Sequence, residues 1–424
     1  MISAESRSQL LDDVFTLAKA NWLPYETAMN MTSYLAQEES YIPWATAMKH
    51  LSAIVGEFYN DPAYGEIKKY MLSIVSPAYR KYNWSDDQIP EDDVLQQNFQ
   101  STAVSYSCLY GDEDCNDIAL KLFNALTVDC GGADQKTSSS CNNLKPHLRG
   151  SVYCSGVRSG KHSSWEFLWE KYQLEDIQVE KSRIASALSC TKQPWILTRI
   201  LLEALAGTVI RHQDTSTMFY YVAANPVGSQ MMWDFFNQNW ENILRIFGDS
   251  GISTINSIIK SSTAFMNSDY HISQLDYFLQ VHPKAKKYGA FKQMRESAEI
   301  SSKWMKRHRV SLTAWFRRQY IAEEKEAISM RRSGTFTRDG RVSGSSEGAE
   351  VLTSSPESSS AHSAPVDSKK QKKSSSPYHL SQPNLSATSA SGRALRAKQP
   401  LVVGVNAHEA RSTTGLVTTL AGGT

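Results

Sequence analysis

The chain has 424 residues, of which 41% are hydrophobic, and 45 Lys and Arg against 43 Asp and Glu give a formal net charge of +2. This composition allows a sizeable hydrophobic core and excludes a wholly disordered chain. No basic stripe interleaved with aromatic residues occurs before residue 329, so we expect no nucleic-acid partner. No apolar run approaches the roughly 20 residues that a bilayer requires, and the opening MISAESRSQLLDD lacks an apolar core. We therefore expect neither a signal peptide nor a transmembrane segment in this chain.

The hydrophobic pattern from Ser8 to about Ala327 predicts one short amphipathic helix after another. The first helix carries an apolar stripe from Leu10 to Ala18, and Pro24, Pro43 and Pro62 each mark the start of a further helix. Later helices are predicted at 94–106, 115–126, 165–172, 181–188, 195–206, 215–224, 229–247 and 252–265.

Alternation long enough for a strand is absent from the sequence, so the predicted fold class is all-α. Each helix buries one face and must stack on its neighbours to cover it. We expect an irregular α-solenoid, or superhelical array, of antiparallel helix pairs over residues 1–328. The tryptophans Trp44, Trp195, Trp233 and Trp240 are expected to pack in its core.

Residues 329–424 have a different composition, with 12 Lys and Arg against 6 Asp and Glu and many serines. Such a segment buries too little apolar area to offset its backbone entropy, so we predict a disordered, Ser-rich basic tail. The run Lys369–Lys373 matches a nuclear-localisation patch, but a solvated cluster in a flexible tail is the simpler interpretation.

Six cysteines lie in one stretch of the chain: Cys108, Cys115, Cys130, Cys141, Cys154 and Cys190. The first two flank the turn-rich segment LYGDED, and the next two bracket the loop GGADQKTSSS, which leaves the last two for each other. Three disulfides would place the protein in an oxidising compartment. The alternative is six reduced, buried thiols in a cytosolic protein. A zinc knuckle is excluded because neither C-x2-C nor H-x3-H spacing occurs.

No catalytic or metal-binding motif is found. Among the ten histidines only His408 is followed by Glu, and no second histidine stands four residues later, so H-E-x-x-H is absent. The spacing G-x-S-x-G occurs at Gly344–Gly348, but in the Ser-rich segment that we predict to be disordered, so it does not predict a nucleophile elbow. P-loops and dinucleotide-binding glycine patterns are absent. We predict no catalytic residue and no metal ligand in this chain.

The candidate sites are a polar segment with an arginine and three glycosylation sequons. In the segment Ile210–Asp214, Arg211 could bind a carboxylate, but pairing with Asp214 as the cap of the next helix is the simpler reading. Glycosylation sequons begin at Asn30, Asn83 and Asn384, and Asn83, expected in a polar loop between Pro77 and Pro90, is the favoured acceptor.

Eight segments resemble, in the same order, the helical C-terminal domain of the aminopeptidase N family of zinc metalloaminopeptidases. The resemblance extends from residue 7 to about 318. The segments are RSQLLDDVFTLAKANWLPYETAM, YIPWATAMKHL, LKPHLRGSVYC, WEFLWEKY, ALSCTKQPWILTRIL, VIRHQD, AANPVGSQMMWDFFNQNW and SSKWMKRHRVSLTAWF.

The resemblance implies a pairing for the cysteines. Two bridges recur in this domain of the family, with separations that match Cys108–Cys115 and Cys154–Cys190. The bridge Cys130–Cys141 would then be an addition in a longer loop.

The resemblance also implies a function. The family removes N-terminal residues from peptides, using a zinc-binding helix and a G-A-M-E-N loop that lie upstream of this domain and are missing here. The domain caps the active site, admits the peptide and mediates dimer contacts. We therefore expect no cofactor in this chain, with zinc held by the parent enzyme. The expected partners are the upstream catalytic domain of the same enzyme, a peptide substrate and a second copy in a homodimer, at the cell surface or outside the cell.

The segment His282–Gly289 resembles the family's mobile loop facing the active-site cavity. The candidate substrate-facing residues are accordingly Lys284, Lys286 and Lys287, together with Arg211 and Gln213. Two alternatives stay open: a stand-alone helical scaffold that binds a partner through its concave face, and an intracellular adaptor with reduced cysteines.

Overall fold

The computed structural model describes residues 2–85, 89–131, 136–248 and 251–332, with side chains as far as residue 319. Within these ranges the chain forms sixteen α-helices and no strand, which confirms the predicted all-α class. The helices are α1 (Ala4–Lys19), α2 (Tyr25–Asn30), α3 (Tyr41–Glu57), α4 (Tyr64–Tyr82), α5 (Val94–Tyr110), α6 (Glu113–Asp129), α7 (Ser138–Cys141), α8 (Pro146–Ser159), α9 (His162–Leu174), α10 (Gln178–Leu188), α11 (Pro194–Ala206), α12 (Thr215–Ala224), α13 (Pro226–Phe247), α14 (Ile252–Thr263), α15 (Asp269–Val281) and α16 (Gly289–Arg332). The predicted tail, with Lys369–Lys373 and the sequon at Asn384, lies outside the described residues apart from its first four positions. The superhelical arrangement stays a prediction.

Local sequence signals fix several helix ends. Asp93 and Asp112 each accept a hydrogen bond from a backbone N–H in the first turn of α5 and α6. Gly111 and Gly207, with φ of 103° and 73°, end α5 and α11 in the left-handed conformation that glycine adopts without steric cost. Pro43 was expected to open α3, but the helix begins two residues earlier at Tyr41. Proline is tolerated there because first-turn N–H groups have no partner within the helix.

Most buried side chains fall into two large hydrophobic clusters. One is formed by α1 to α5 together with Leu312, Trp315 and Phe316 of α16. The other extends from α6 through α15 and includes Phe291 near the start of α16. The longest helix therefore contributes to both clusters, and its residues 312–316 pack with the N-terminal helices.

Polar contacts reinforce the packing of α16 against the N-terminal helices. The Trp304 indole N–H donates to the Tyr25 hydroxyl at 2.9 Å, and the Trp315 indole N–H donates to Asn30 Oδ1 at 2.8 Å. These bonds satisfy the polar ends of side chains whose rings lie largely in the core. The helical periodicity predicted helices to about Ala327, but not one 44-residue helix spanning both clusters.

Three of the four tryptophans expected in the core are buried, namely Trp44, Trp233 and Trp240. The prediction was wrong for Trp195, which is 54% exposed. It is the second residue of α11, in the first turn, and its ring lies 5.0 Å from that of His162 at the surface.

Candidate functional site

All six cysteines are paired in the structure, in the arrangement that the family resemblance implies. The sequence separations are 7, 11 and 36 residues, and the Cα atoms of each pair lie 5.2–5.3 Å apart, which is ordinary disulfide geometry. The alternative of six free thiols is therefore wrong. The longest bridge, Cys154–Cys190, joins α8 to the residues just after α10.

The segment that contains Cys141 is held by a buried polar network. Glu175 accepts hydrogen bonds from the Ser139 backbone N–H at 2.9 Å and from the Ser139 hydroxyl at 2.7 Å. The Tyr153 hydroxyl donates to Glu180 and accepts from the Asn142 amide, each at 2.5 Å. Burial, with the Glu180 carboxylate next to it, raises the pKa of Tyr153. Tyr153 therefore keeps its proton at physiological pH, and the network holds residues 138–142 against Tyr153 of α8 and Glu175.

The contacts of Arg211 largely match the simpler interpretation, in which Arg211 pairs with Asp214. Arg211 Nε lies 2.8 Å from Asp214 Oδ2, and its terminal amino group donates to Gln178 Oε1 at 3.2 Å. The expected cap is wrong, because the Asp214 side chain accepts no capping hydrogen bond from α12. The Asp214 carboxylate accepts a hydrogen bond from Arg211 instead. At the start of α12, the Thr215 hydroxyl donates to the Ala204 carbonyl at 2.7 Å.

The basic segment before α16 is a short 3-10 turn, Pro283–Lys287. Lys284, Lys286 and Lys287 are exposed, whereas Ala285 between them is fully buried and fastens the turn to the core. Four of the five residues of the turn are exposed, and Ala285 alone is directed into the core. Lys287 Nζ lies 4.9 Å from the centre of the Tyr288 ring.

Arg211 and the three lysines belong to different turns, and a histidine next to Arg211 and another just before the basic turn each lie near the C-terminal half of α13. The His212 ring lies 5.5 Å from that of Phe247, and the His282 ring lies 6.3 Å from that of Trp240. Gln213 is exposed on the first of these turns. None of the described contacts joins Arg211 or Gln213 to the three lysines.

The two sequons within the described residues differ in accessibility. Asn30 is exposed at the end of α2, with its Oδ1 accepting from Trp315. Asn83 is half-buried, and its Oδ1 accepts from the Ser85 backbone N–H at 2.6 Å. The expected polar loop between Pro77 and Pro90 is wrong in part, because Pro77 lies inside α4 and Asn83 directly follows that helix. Glycosylation at either position stays a prediction.

One cavity of about 230 Å³ was not anticipated from the sequence, because four separate elements contribute to it. The Ser262 hydroxyl at its wall is buried without a hydrogen-bond partner, and burial lowers the pKa of His271. The cavity is lined by Asn60, Ser229, Gln230, Trp233, Asp234, Ser261, Ser262, Phe265, Met266, Tyr270, His271 and Gln274.

Two further observations concern metals and membranes. Within the ranges that the structure describes, His, Cys, Asp and Glu side chains do not gather in groups of three suited to a metal ion. In the same ranges no helix combines the length and the apolar character needed to cross a bilayer.

The sequence was compared with known protein families. The sequence model of the ERAP1-like C-terminal domain matches residues 1–300. The chain belongs to this family. It is similar to aminopeptidase N of Canis lupus familiaris, with 30% identity over 326 residues that cover 75% of this chain and 32% of that protein.

Other relatives show the same coverage. Aminopeptidase Ey of Gallus gallus is 29% identical over 321 residues, covering 74% of this chain and 32% of the relative. Aminopeptidase N of Homo sapiens is 28% identical over 320 residues, covering 73% and 32%. The chain therefore spans about a third of the length of these aminopeptidases, and the match falls in their C-terminal portion.

Proposed function

We propose that this chain is the C-terminal, peptide-capping and substrate-admitting domain of an extracellular zinc metalloaminopeptidase, and that it is inactive by itself. The observation that carries the proposal is the match to the C-terminal third of aminopeptidases N. A chain restricted to that third lacks the H-E-x-x-H motif that zinc peptidases need to bind the metal and activate water.

The disulfides support an extracellular location. Three bridges in one folded unit are typical of proteins that mature in an oxidising compartment and are rare in the cytosol. They argue against the intracellular adaptor, which requires reduced cysteines.

Among the candidate substrate-facing residues, the three lysines of the basic turn are better placed than Arg211. The Arg211 guanidinium already binds Asp214 and Gln178. The ammonium groups of Lys284, Lys286 and Lys287 form no ion pair among the described side chains, so acidic groups of a peptide can approach them. We propose that this turn contacts peptide substrates beyond the reacting bond.

The absence of activity is tested on the full chain. We expect no hydrolysis of an alanine anilide and no stoichiometric zinc by metal analysis. Chelator-sensitive hydrolysis together with one zinc per chain would defeat the proposal. Sequencing the transcript upstream of the Met1 codon is the complementary test. An H-E-x-x-H and a G-A-M-E-N segment in the same reading frame are expected, and their absence from the gene would favour the stand-alone scaffold.

The capping role is tested in a chimera that carries this chain in place of the C-terminal portion of the Canis lupus familiaris enzyme. Replacing all three turn lysines with Gln is expected to raise KM for acidic peptides about three- to tenfold, as for a few solvent-exposed charges. KM for the alanine anilide should not change, because that substrate is too short to reach the turn. Lys260→Gln, an exposed lysine on α14, is the matched control. An equal KM change for both substrates would contradict a role in peptide contact.

A further inference from the structure

The cavity of about 230 Å³ lies between α13, α14, α15 and the connection from α3 to α4. Four of its lining residues are exposed, namely Asn60, Gln230, Asp234 and Tyr270, and the others are buried or half-buried. The cavity is therefore partly enclosed and still reachable from solvent. Its volume is many times the roughly 10–15 Å³ that one water needs, and below the roughly 300–1,000 Å³ of pockets for drug-sized ligands. A small molecule suits this space.

A buried hydroxyl in the wall of the cavity has no hydrogen-bond partner. Ser262, in the last turn of α14, is 5% exposed, and its Oγ forms no hydrogen bond within the described chain. Buried hydroxyls are normally paired, because an unpaired one loses its bonds to water without replacement. The neighbouring Thr263 is also buried, but its hydroxyl donates to the Ile259 carbonyl at 2.7 Å. The Ser262 hydroxyl can therefore bond to a ligand without breaking an existing contact.

Other polar side chains of the wall supply both donors and acceptors. His271 Nδ1 accepts from the Asn267 backbone N–H at 3.2 Å, and burial lowers the pKa of this ring. The neutral ring therefore carries its proton on Nε2, which acts as a donor. Gln274 Nε2 donates to the Tyr270 hydroxyl at 2.9 Å, so Gln274 Oε1 can accept and the Tyr270 O–H can donate. Ligand groups that both donate and accept match such a wall.

The charges of the wall disfavour an anion. Among the described residues that line the cavity there is no Lys or Arg, and Asp234 carries the only charge at neutral pH. A phosphate or carboxylate group would meet a carboxylate and no cation. Asp234 is exposed, and a single solvent-exposed carboxylate attracts an ammonium group only weakly. The charges therefore favour a neutral ligand.

The apolar part of the wall consists of Trp233, Phe265 and Met266. The Trp233 ring is fixed by ring contacts with Phe236 and Phe278, at 5.7 Å and 5.5 Å between centroids. The wall thus places an apolar surface beside its hydroxyl, amide and imidazole groups. A sugar ring has the same two parts, because its carbon-bound hydrogens form an apolar face and its hydroxyls project around the edge.

We propose that this cavity binds one unit of a neutral sugar, with Ser262, His271 and Gln274 bonding to its hydroxyl groups. Each sugar hydroxyl donates and accepts, which matches the mixed wall. An ammonium group only donates and a phosphate group only accepts, so neither uses the whole wall. Free monosaccharides and the ends of glycan chains share this chemistry, and the binding experiment distinguishes them.

The test is saturation-transfer nuclear magnetic resonance with the full, disulfide-intact chain. The probes are the methyl glycosides of glucose, galactose, mannose and N-acetylglucosamine. We expect saturable binding of at least one of them. The corresponding uronic acid should bind more weakly, because the Asp234 carboxylate repels it, and the corresponding amino sugar should bind no more tightly. Tighter binding of a disaccharide that ends in the same unit identifies a glycan end as the source, and equal binding identifies the free monosaccharide.

The variant Ser262→Ala tests the unpaired hydroxyl. It should weaken binding of the glycoside about three- to tenfold, as expected for one lost hydrogen bond. Its unfolding temperature should be unchanged or higher, because the hydroxyl has no partner in the protein to lose. The matched control is Ser107→Ala, which removes another buried hydroxyl without a partner, on α5, where no residue lines the cavity. This control should leave sugar binding unchanged.

The variant Asp234→Asn tests the charge argument. It removes the negative charge and keeps a side chain that can form hydrogen bonds. Binding of the neutral glycoside should stay within about twofold, whereas binding of the uronic acid should tighten by up to about fivefold, as for one exposed charge. Because Asp234 is exposed, its replacement does not endanger folding.

Three results would overturn the proposal. They are no saturable binding of any of the glycosides, equal affinity in the parent and Ser262→Ala, and tighter binding of the uronic acid or the amino sugar than of the neutral glycoside. None of these results bears on whether the chain caps an aminopeptidase, because that proposal is tested by peptide hydrolysis.

Discussion

Gly156 in α8 lies where no larger residue fits. A Cβ atom built on Gly156 would stand 2.2 Å from Cγ and 2.8 Å from Cβ of Phe123. Those atoms are at the root of a fully buried side chain that also packs against Phe167, so neither can move aside freely. We therefore expect Gly156→Ala to separate α6 from α8 locally and to lower the free energy of unfolding by about 1–3 kcal/mol.

The same helix supplies a matched control. A Cβ atom on Gly150, also inside α8, would meet nothing within 4 Å. Gly150→Ala should therefore stabilise the protein by about 0.5–1 kcal/mol, because alanine loses less backbone entropy in a helix. The two substitutions are chemically identical and occupy one helix, yet their effects should differ in sign.

The measurement is guanidinium-induced unfolding followed by circular dichroism, with all disulfides intact. A double-mutant cycle with Phe123→Ala isolates the steric term, since removing the ring removes the nearest contact. Gly156→Ala should be less costly in the Phe123→Ala background by about 1 kcal/mol or more. A Gly156→Ala protein as stable as Gly150→Ala, or a cycle without coupling, would refute the close packing of α6 on α8.

Three further predictions concern the bridge, an ion pair and the buried network. Replacing Cys154 and Cys190 with Ala should lower the free energy of unfolding by about 4 kcal/mol in the chain-entropy model, since the bridge closes a separation of 36 residues; an unchanged denaturation midpoint would show that the bridge does not restrict the unfolded chain. Burial alone raises the pKa of Glu38, but hydrogen bonds from Arg7 and backbone N–H groups outweigh burial and lower it. Glu38 therefore contributes stability above its unfolded pKa of about 4.3 and loses it as the pH falls through the folded pKa. Glu38→Gln should be less stable than the parent at neutral pH, and the gap should close in acid; a gap independent of pH would contradict the assignment. Tyr153→Phe should cost about 1–3 kcal/mol by chemical denaturation, because a buried carboxylate and a buried amide each lose a partner; a neutral result would mean that water replaces the hydroxyl.

The sequence by itself determined the fold class and most of the helices. Apolar residues at helical spacing predict α12 at its observed limits, and α6, α9, α10 and α13 extend two or three residues beyond one or both predicted ends. The helix α5 extends four residues further than predicted, α14 ends two residues earlier, and α8 and α15 had no predicted limits. Turn-rich segments between neighbouring cysteines predicted two of the bridges, because short loops bring their own ends together. The order of the motifs identified the family. All of these signals are local, so one sequence is sufficient to read them.

The tertiary structure alone decided what happens between distant segments. Helical periodicity shows that α16 has an apolar face, but not that its middle packs on α2 and α4 through Trp304 and Trp315. The same periodicity wrongly predicted a buried Trp195, because it cannot distinguish an exposed position in the first turn of a helix from a buried one. Sequence spacing fixes neighbours along one helix, whereas the meeting of two helices depends on the packing of the whole core.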